Sequence, residues 1–384
     1  MKVLIYFDKN DLAPKGGPSG YLLNVYNQKV LRNDDEIEFL DEKNSRIKKF
    51  NWIKKLVFNF NNYLFIKRIY YMHDNIPRKD FNNYDIIHFH RPIDLFIQEK
   101  NLKEYKGIVL LTSHSPKVFY KELLEDVATK YELLFFRNKF KKMELIDEFS
   151  FRYADYILFP CKDAEEPYYN SWNKYSYIRK EEKMLYCPTG IDGVPIKQSR
   201  KDVRKKYKIA EDKIVISYVG RHNEVKGYDI LKKLGNLLDE NKYVFICCGN
   251  EYPLTGLDKK NWIEVGWTDD PYSIVNASDI YILPNKETYF DIALLQTLSI
   301  GKLSIISNTG GNKYFIGHEN DGIYLYDNLD QLIQLISDLS KISLIKRKDI
   351  ENKQKNFFMT NFTSEIYYDN YKKILCELIE RRRA

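Results

Sequence analysis

Cysteine is scarce in this chain: five occur in 384 residues, at 161, 187, 247, 248 and 376. The number is odd and the spacing fits no disulfide framework, so a reducing cytoplasm is the expected setting. Cys247 and Cys248 are adjacent within a strand pattern and read as small core residues. Long apolar runs are lacking too. None approaches the ~20 residues that a transmembrane helix needs. The apolar start, MKVLIYF, gives way at once to DKND. It is too short for a signal peptide and reads as a first strand. A soluble protein, or a peripheral one on the inner face of the cell membrane, is expected. Neither G-x-x-x-x-G-K-[ST] nor G-x-G-x-x-G occurs, which argues against a phosphate-cleaving NTPase and an NAD enzyme. The net charge of +7 suits an anionic ligand or membrane surface. It falls short of a dedicated nucleic-acid binder, and no nucleic-acid partner is expected.

What is present suits two domains, since 384 residues exceed one ordinary core and 44% are hydrophobic. Tyr (31) and Phe (22) are plentiful. Tyrosine buries a ring and still offers a hydroxyl, which suits sugar sites and membrane interfaces; an AT-rich genome gives the same enrichment. Apolar β-type runs recur at Val3–Phe7, Ile37–Leu40, Asp85–His90, Ile108–His114, Asp155–Pro160 and Met184–Pro188. They recur again at Ile214–Val219, Tyr243–Cys248, Ile263–Val265, Ile280–Leu283 and Leu303–Ser307. Helical patterns lie between them. Alternating β and α units in both halves predict two facing doubly wound α/β domains. The boundary is placed at 195/196, in a polar, basic stretch without clear period. A last helix over 363–384 is expected to pack back on the N-terminal domain.

Several loops carry chemistry. Gly16-Gly17-Pro18-Ser19-Gly20 opens a helix and offers backbone N–H groups to a phosphate, sugar or carboxylate, or is simply a tight turn. The runs Asp85–His90, which includes His88, and Ile108–His114 each end in histidine, where side chains face the crevice of an open sheet; a buried structural histidine is the alternative, but two at equivalent strand ends favour a site. Gly220-Arg221-His222-Asn223-Glu224-Val225-Lys226-Gly227 follows the first strand of the second half, and its two cations suit a diphosphate. Glu287 stands after another strand as an acceptor for sugar hydroxyls. The backbone N–H groups of Thr288, Tyr289, Phe290 and Asp291 precede a helix and are expected to meet a phosphate. Residues 44–72 mix bases and aromatics without an acid, which suits anionic lipid or an ordinary pair of helices with bases in water. Residues 130–142 again mix bases and aromatics, with one acid, Glu132.

These residues together resemble the GT-B glycosyltransferases, specifically the retaining enzymes of glycosyltransferase family 4. The likeness runs along nearly the whole chain and is densest over 214–311. GGPSG resembles the family's glycine-rich loop near donor and acceptor, which implies places for Gly16, Gly17 and Ser19. YVGRHNEVKG resembles its phosphate motif, so Gly220, Arg221 and Lys226 inherit the diphosphate. Glu287 matches the first glutamate of the acidic motif, which binds the donor sugar. TSH at 112–114 resembles a first-domain segment that puts His114 near that sugar, and PTGID resembles the P-N-G-[VI]-D turn. The resemblance implies an interdomain cleft, a C-terminal crossover helix and front-face transfer. It also implies a nucleotide diphosphate sugar as donor, with a UDP-sugar favoured, and as acceptor a glycan or lipid-linked saccharide in cell-surface polysaccharide biosynthesis. No metal and no cofactor beyond the donor is implied, since two cations meet the diphosphate and Asp269-Asp270 before Pro271 read as a turn.

Two departures stand out. The family's second glutamate, which holds the ribose, is replaced by Gln296, with eight residues between it and Glu287. The small E-G-F-G turn is replaced by Glu287-Thr288-Tyr289-Phe290-Asp291. They motivate a rival reading, a non-catalytic GT-B partner of an active glycosyltransferase. A GT-B sugar-nucleotide epimerase would carry more acid/base carboxylates than are found.

Overall fold

The computed structural model describes residues 1–13, 17–41, 80–114, 117–126 and 143–383. The membrane expectation for 44–72 and 130–142, and Gly16 of the glycine-rich loop, lie outside them. The chain divides into two compact units. One comprises 1–159, 167–187 and 368–384; the other comprises 160–166 and 188–367.

The first unit is built on a six-stranded parallel sheet: β1 (Val3–Asp8), β2 (Ile37–Leu40), β3 (Ile86–Phe89), β4 (Ile108–Leu111), β5 (Tyr156–Phe159) and β6 (Met184–Tyr186). The order is β2-β1-β3-β4-β5-β6. In register, Val3 stands between Ile37 and Ile86. These strands are apolar at nearly every position because both faces are covered. Helix α1 (Pro18–Leu31) follows β1, with Pro18 at its first position and Gly17 at φ +78° before it. Pro is pre-organised for that place, and only Gly takes that φ without strain.

The second unit repeats the plan with β7 (Ile214–Val219), β8 (Tyr243–Cys248), β9 (Trp262–Gly266), β10 (Ile280–Leu283), β11 (Ser304–Ser307) and β12 (Ile323–Tyr326). Their order is β12-β11-β10-β7-β8-β9, all parallel. Alternate residues feed two cores. Ile216, Tyr218, Phe245 and Cys247 pack on one face; Val215, Val244, Ile246 and Cys248 pack on the other. Helices α2 (Arg200–Lys206), α3 (Tyr228–Leu237), α4 (Pro271–Ala277), α5 (Ile292–Ile300), α6 (Leu329–Ser340) and α7 (Leu344–Asn361) complete this unit. Buried Asp279, at the entry to β10, binds Arg200, Arg204 and Arg347 at 2.7, 2.8 and 3.0 Å and accepts Val215 N–H at 2.8 Å. Burial raises its pKa, but the arginines and this N–H outweigh that and keep it ionised.

The division at 187/188 comes earlier than the expected 195/196. The intervening segment is tied into the second unit: Ile191 N–H donates to Phe362 O at 2.8 Å, and Val194 N–H to Ser299 Oγ at 3.3 Å. The final helix, α8 (Ser364–Arg383), begins in the second unit and belongs to the first from Tyr368 onward. There Lys372 bonds Asp34 at 2.8 Å and Tyr371 Oη lies 2.7 Å from His88 Nδ1. No helix among the described residues is long and apolar enough to cross a membrane.

Candidate donor site

In the second sheet the chain leaves β7 towards β8, and later returns to place β10 on the other side of β7. Ligands of open α/β sheets bind at such a switch point, outside the carboxyl ends of the two strands. The loop after β7 carries Arg221 and Lys226. The loop after β10 carries Asn285 to Asp291.

The two loops are knitted together. Lys286 N–H donates to Val225 O at 2.9 Å. Gly227, left-handed at φ +67°, lies against Pro284, whose carbonyl oxygen would sit 1.7 Å from any added Cβ. Within the first loop, Tyr218 Oη–H donates to Arg221 O at 2.7 Å and Lys226 N–H to Asn223 Oδ1 at 2.9 Å. Gly311 closes the second loop: its N–H meets Thr288 O at 3.2 Å, and a Cβ there would strike Tyr289 O at 1.9 Å.

Arg221 is exposed and its guanidinium has no hydrogen-bond or ion-pair partner among the described residues. Lys226 Nζ is 2.6 Å from Asp291 Oδ2, which also accepts Asn285 Nδ2 at 2.8 Å. Asp291 Oδ1 accepts Ala293 N–H at 3.0 Å and so caps α5. Burial raises the Asp291 pKa, yet Lys226 and these hydrogen bonds hold it below the ordinary value. Asp291 was expected to present backbone N–H to a phosphate; beyond that expectation, its side chain caps the helix and pairs with the lysine. Nothing in the sequence pattern singled out Asn285, whose signal is its place at the end of β10.

Other expected residues sort clearly. Glu287 is half-buried on the same loop. Thr288 is buried. Phe290, expected to offer its backbone N–H, turns its ring into an aromatic core with Tyr314, Phe315 and Phe362, at centroid distances of 5.7, 5.8 and 6.3 Å. Gln296 Oε1 accepts from Tyr272 Oη–H. That leaves the amide Nε2 as its free side-chain donor group among the described residues.

In the first unit, His88 is a correction. It is fully buried, with Tyr371 on Nδ1 and Thr112 Oγ1 on Nε2 at 2.8 Å, so neither ring nitrogen is left for an acceptor. Ser19 Oγ is taken by the loop, accepting Ala13 N–H at 2.8 Å and donating to Asp11 O at 2.7 Å. His90 and His114 do come together, Nδ1 to Nε2 at 2.9 Å. Burial drives His90 well below the usual histidine range and His114 to about 3, so both are neutral at pH 7.

Residues 199–357 match the family profile described as glycosyl transferases group 1. An O-antigen biosynthesis glycosyltransferase, WclY, of Escherichia coli is 23% identical over 310 residues, 77% of each chain. A UDP-Gal:alpha-D-GlcNAc-diphosphoundecaprenol alpha-1,3-galactosyltransferase of the same organism is 31% identical over 105 residues, 26% of this chain and 27% of that one. Sucrose-phosphate synthase from Thermosynechococcus elongatus superposes with a TM-score of 0.65 at 14% identity, covering 99% and 100% of the two chains. Anabaena HepE in complex with UDP-glucose gives 0.63 at 14%, over 98% and 100%. WaaG, a glycosyltransferase involved in lipopolysaccharide biosynthesis, gives 0.57 at 12%, over 96% and 98%. Through residues 199–357 the chain is thus similar to the glycosyl transferases group 1, and its fold is GT-B.

Proposed function

We propose that this protein is a retaining glycosyltransferase. It moves a sugar from a nucleotide diphosphate sugar, with UDP-sugars favoured, to a glycan or lipid-linked acceptor in cell-surface polysaccharide biosynthesis. The observation that carries the reading is Arg221 and Lys226 on the loop after β7, knitted to the Glu287 loop at the sheet's switch point. The similarity to WclY, to the galactosyltransferase and to the fold of UDP-glucose-bound HepE supports it.

The chemistry follows from charge. As the glycosidic C–O bond to the diphosphate breaks, negative charge grows on the leaving phosphate. A guanidinium in contact with that phosphate stabilises the transition state more than the ground state. Arg221 is assigned that task, with Lys226 beside it. In front-face transfer the leaving phosphate oxygen takes the acceptor hydroxyl's proton, so no separate protein base is required. Glu287 accepts hydrogen bonds from donor sugar hydroxyls and fixes the reacting carbon.

A screen of UDP-, GDP- and other nucleotide sugars tests the reading. Release of nucleoside diphosphate from one class, with retained anomeric configuration in the product by proton NMR, is the expected result. Inversion would remove the retaining mechanism. No binding to any common nucleotide sugar, by calorimetry, would favour the non-catalytic partner.

A further inference from the structure

Three donors converge on one carboxylate at the head of α5. Asp291 takes Lys226 Nζ at 2.6 Å, Asn285 Nδ2 at 2.8 Å and Ala293 N–H at 3.0 Å, and its side chain is 8% exposed. An ammonium, an amide N–H and a helix-start N–H are the groups that bind phosphate oxygens. The protein supplies the anion itself. Asp291 stands in the segment that replaces the small E-G-F-G turn. Leu294 and Leu295 N–H groups are already bonded to Asp291 O at 3.1 and 3.3 Å, which leaves Ile292 as the remaining N–H of the first turn.

A phosphate approaching the same donors meets a carboxylate of its own sign in a partly buried place, where like charges at contact repel strongly. Lys226, 28% exposed, lies within reach of a ligand. Arg221, in contrast, makes no ion pair among the described residues. The two cations of the loop are therefore unequal: one is at hand for a diphosphate, and the other is neutralised in advance.

We infer that Asp291 competes with the donor's diphosphate for Lys226, Asn285 and the α5 N-terminus, and that the diphosphate gains them only by displacing it. The inference rests on the reading of these loops as the diphosphate site. Its consequence is a donor affinity held down by the protein's own side chain, with Arg221 making the first contact and Lys226 released as Asp291 swings away.

Inorganic pyrophosphate is the probe, because it needs no knowledge of base or sugar. Calorimetric titrations of the full chain, Asp291→Ser and Asp291→Asn are compared, with melting curves to establish folding. Serine still caps the helix and asparagine keeps the shape. Pyrophosphate is expected to bind Asp291→Ser about tenfold or more tighter, since like-charge contacts weigh heavily in binding. Asp291→Asn should tighten it less. The gain should vanish in Lys226→Ala/Asp291→Ser. Unchanged or weaker binding in both single variants overturns the inference and marks Asp291 as a positioning group for Lys226. Nucleotide-sugar turnover by the unaltered chain separates the two claims. Tightening without turnover keeps the competitor and sinks the transferase, and turnover without tightening does the reverse.

Discussion

Gly227→Ala perturbs the point where the two donor-site loops touch. Gly227 sits at φ +67° and ψ 22° and precedes α3. A non-glycine residue in that region costs about 1–2 kcal/mol. The new methyl would lie 1.7 Å from Pro284 O and 2.5 Å from its carbonyl carbon. These are backbone atoms, so the loop from Pro284 must move as a whole, at about 1–3 kcal/mol for overpacking. The two terms together give about 2–5 kcal/mol. Gly266→Ala is the control, because Gly266 has φ +72° but nothing within 4 Å of the added carbon. It should lose only the conformational term, about 1–2 kcal/mol. Urea midpoints of both variants measure stability. Movement of the loop that carries Asn285 and Glu287 should also cut donor turnover by up to about 100-fold, as a displacement near 1 Å can. If Gly227→Ala matches Gly266→Ala in both stability and turnover, the contact between the loops does not organise the site.

Acid should weaken the first unit. His114 titrates near 6.5 unfolded and about 3 folded, because burial disfavours its charge. The unfolded chain then binds more protons across that window, and stability present above pH 6.5 is lost as pH falls towards 3. By pH 5 the loss from His114 is about 2 kcal/mol, and His88 and His90 act in the same direction. Urea midpoints at pH 7.5 and 5 should show it, with a smaller difference in His114→Gln; equal differences would refute it. In the second unit, Asp279→Asn leaves three arginines around a neutral group. It should cost about 3–5 kcal/mol, measured by chemical denaturation, and a loss under 1 kcal/mol by the same reasoning would show the cluster to be dispensable.

Eleven of the twelve described strands were legible in the sequence, because a parallel sheet covered on both faces leaves continuous apolar runs; β12 (Ile323–Tyr326), half-buried at two of its four positions, was missed. β7, β8 and β10 fall where those runs stand. Helix α2 was not, because it turns Val203 and Arg204 inward together, and a buried arginine breaks the apolar period. Helix α7 hides in the same way: its buried stripe is Arg347, Ile350, Gln354 and Phe358. The loops of the candidate site were found from glycines, cations and strand ends. The roles within them depend on three-dimensional partners. Spacing could not tell that Lys226 and Asp291, 65 positions apart, form an ion pair. Nor could it tell that His88 meets a tyrosine 283 positions away on one ring nitrogen and Thr112 on the other.

The most direct test of the central claim is donor turnover by the purified chain beside Arg221→Ala, each verified as folded by circular dichroism. The account predicts release of nucleoside diphosphate from a nucleotide sugar by the unaltered chain. It predicts a loss of about 100- to 1,000-fold in kcat when the guanidinium that meets the leaving phosphate is removed. Equal turnover in the two proteins would contradict it.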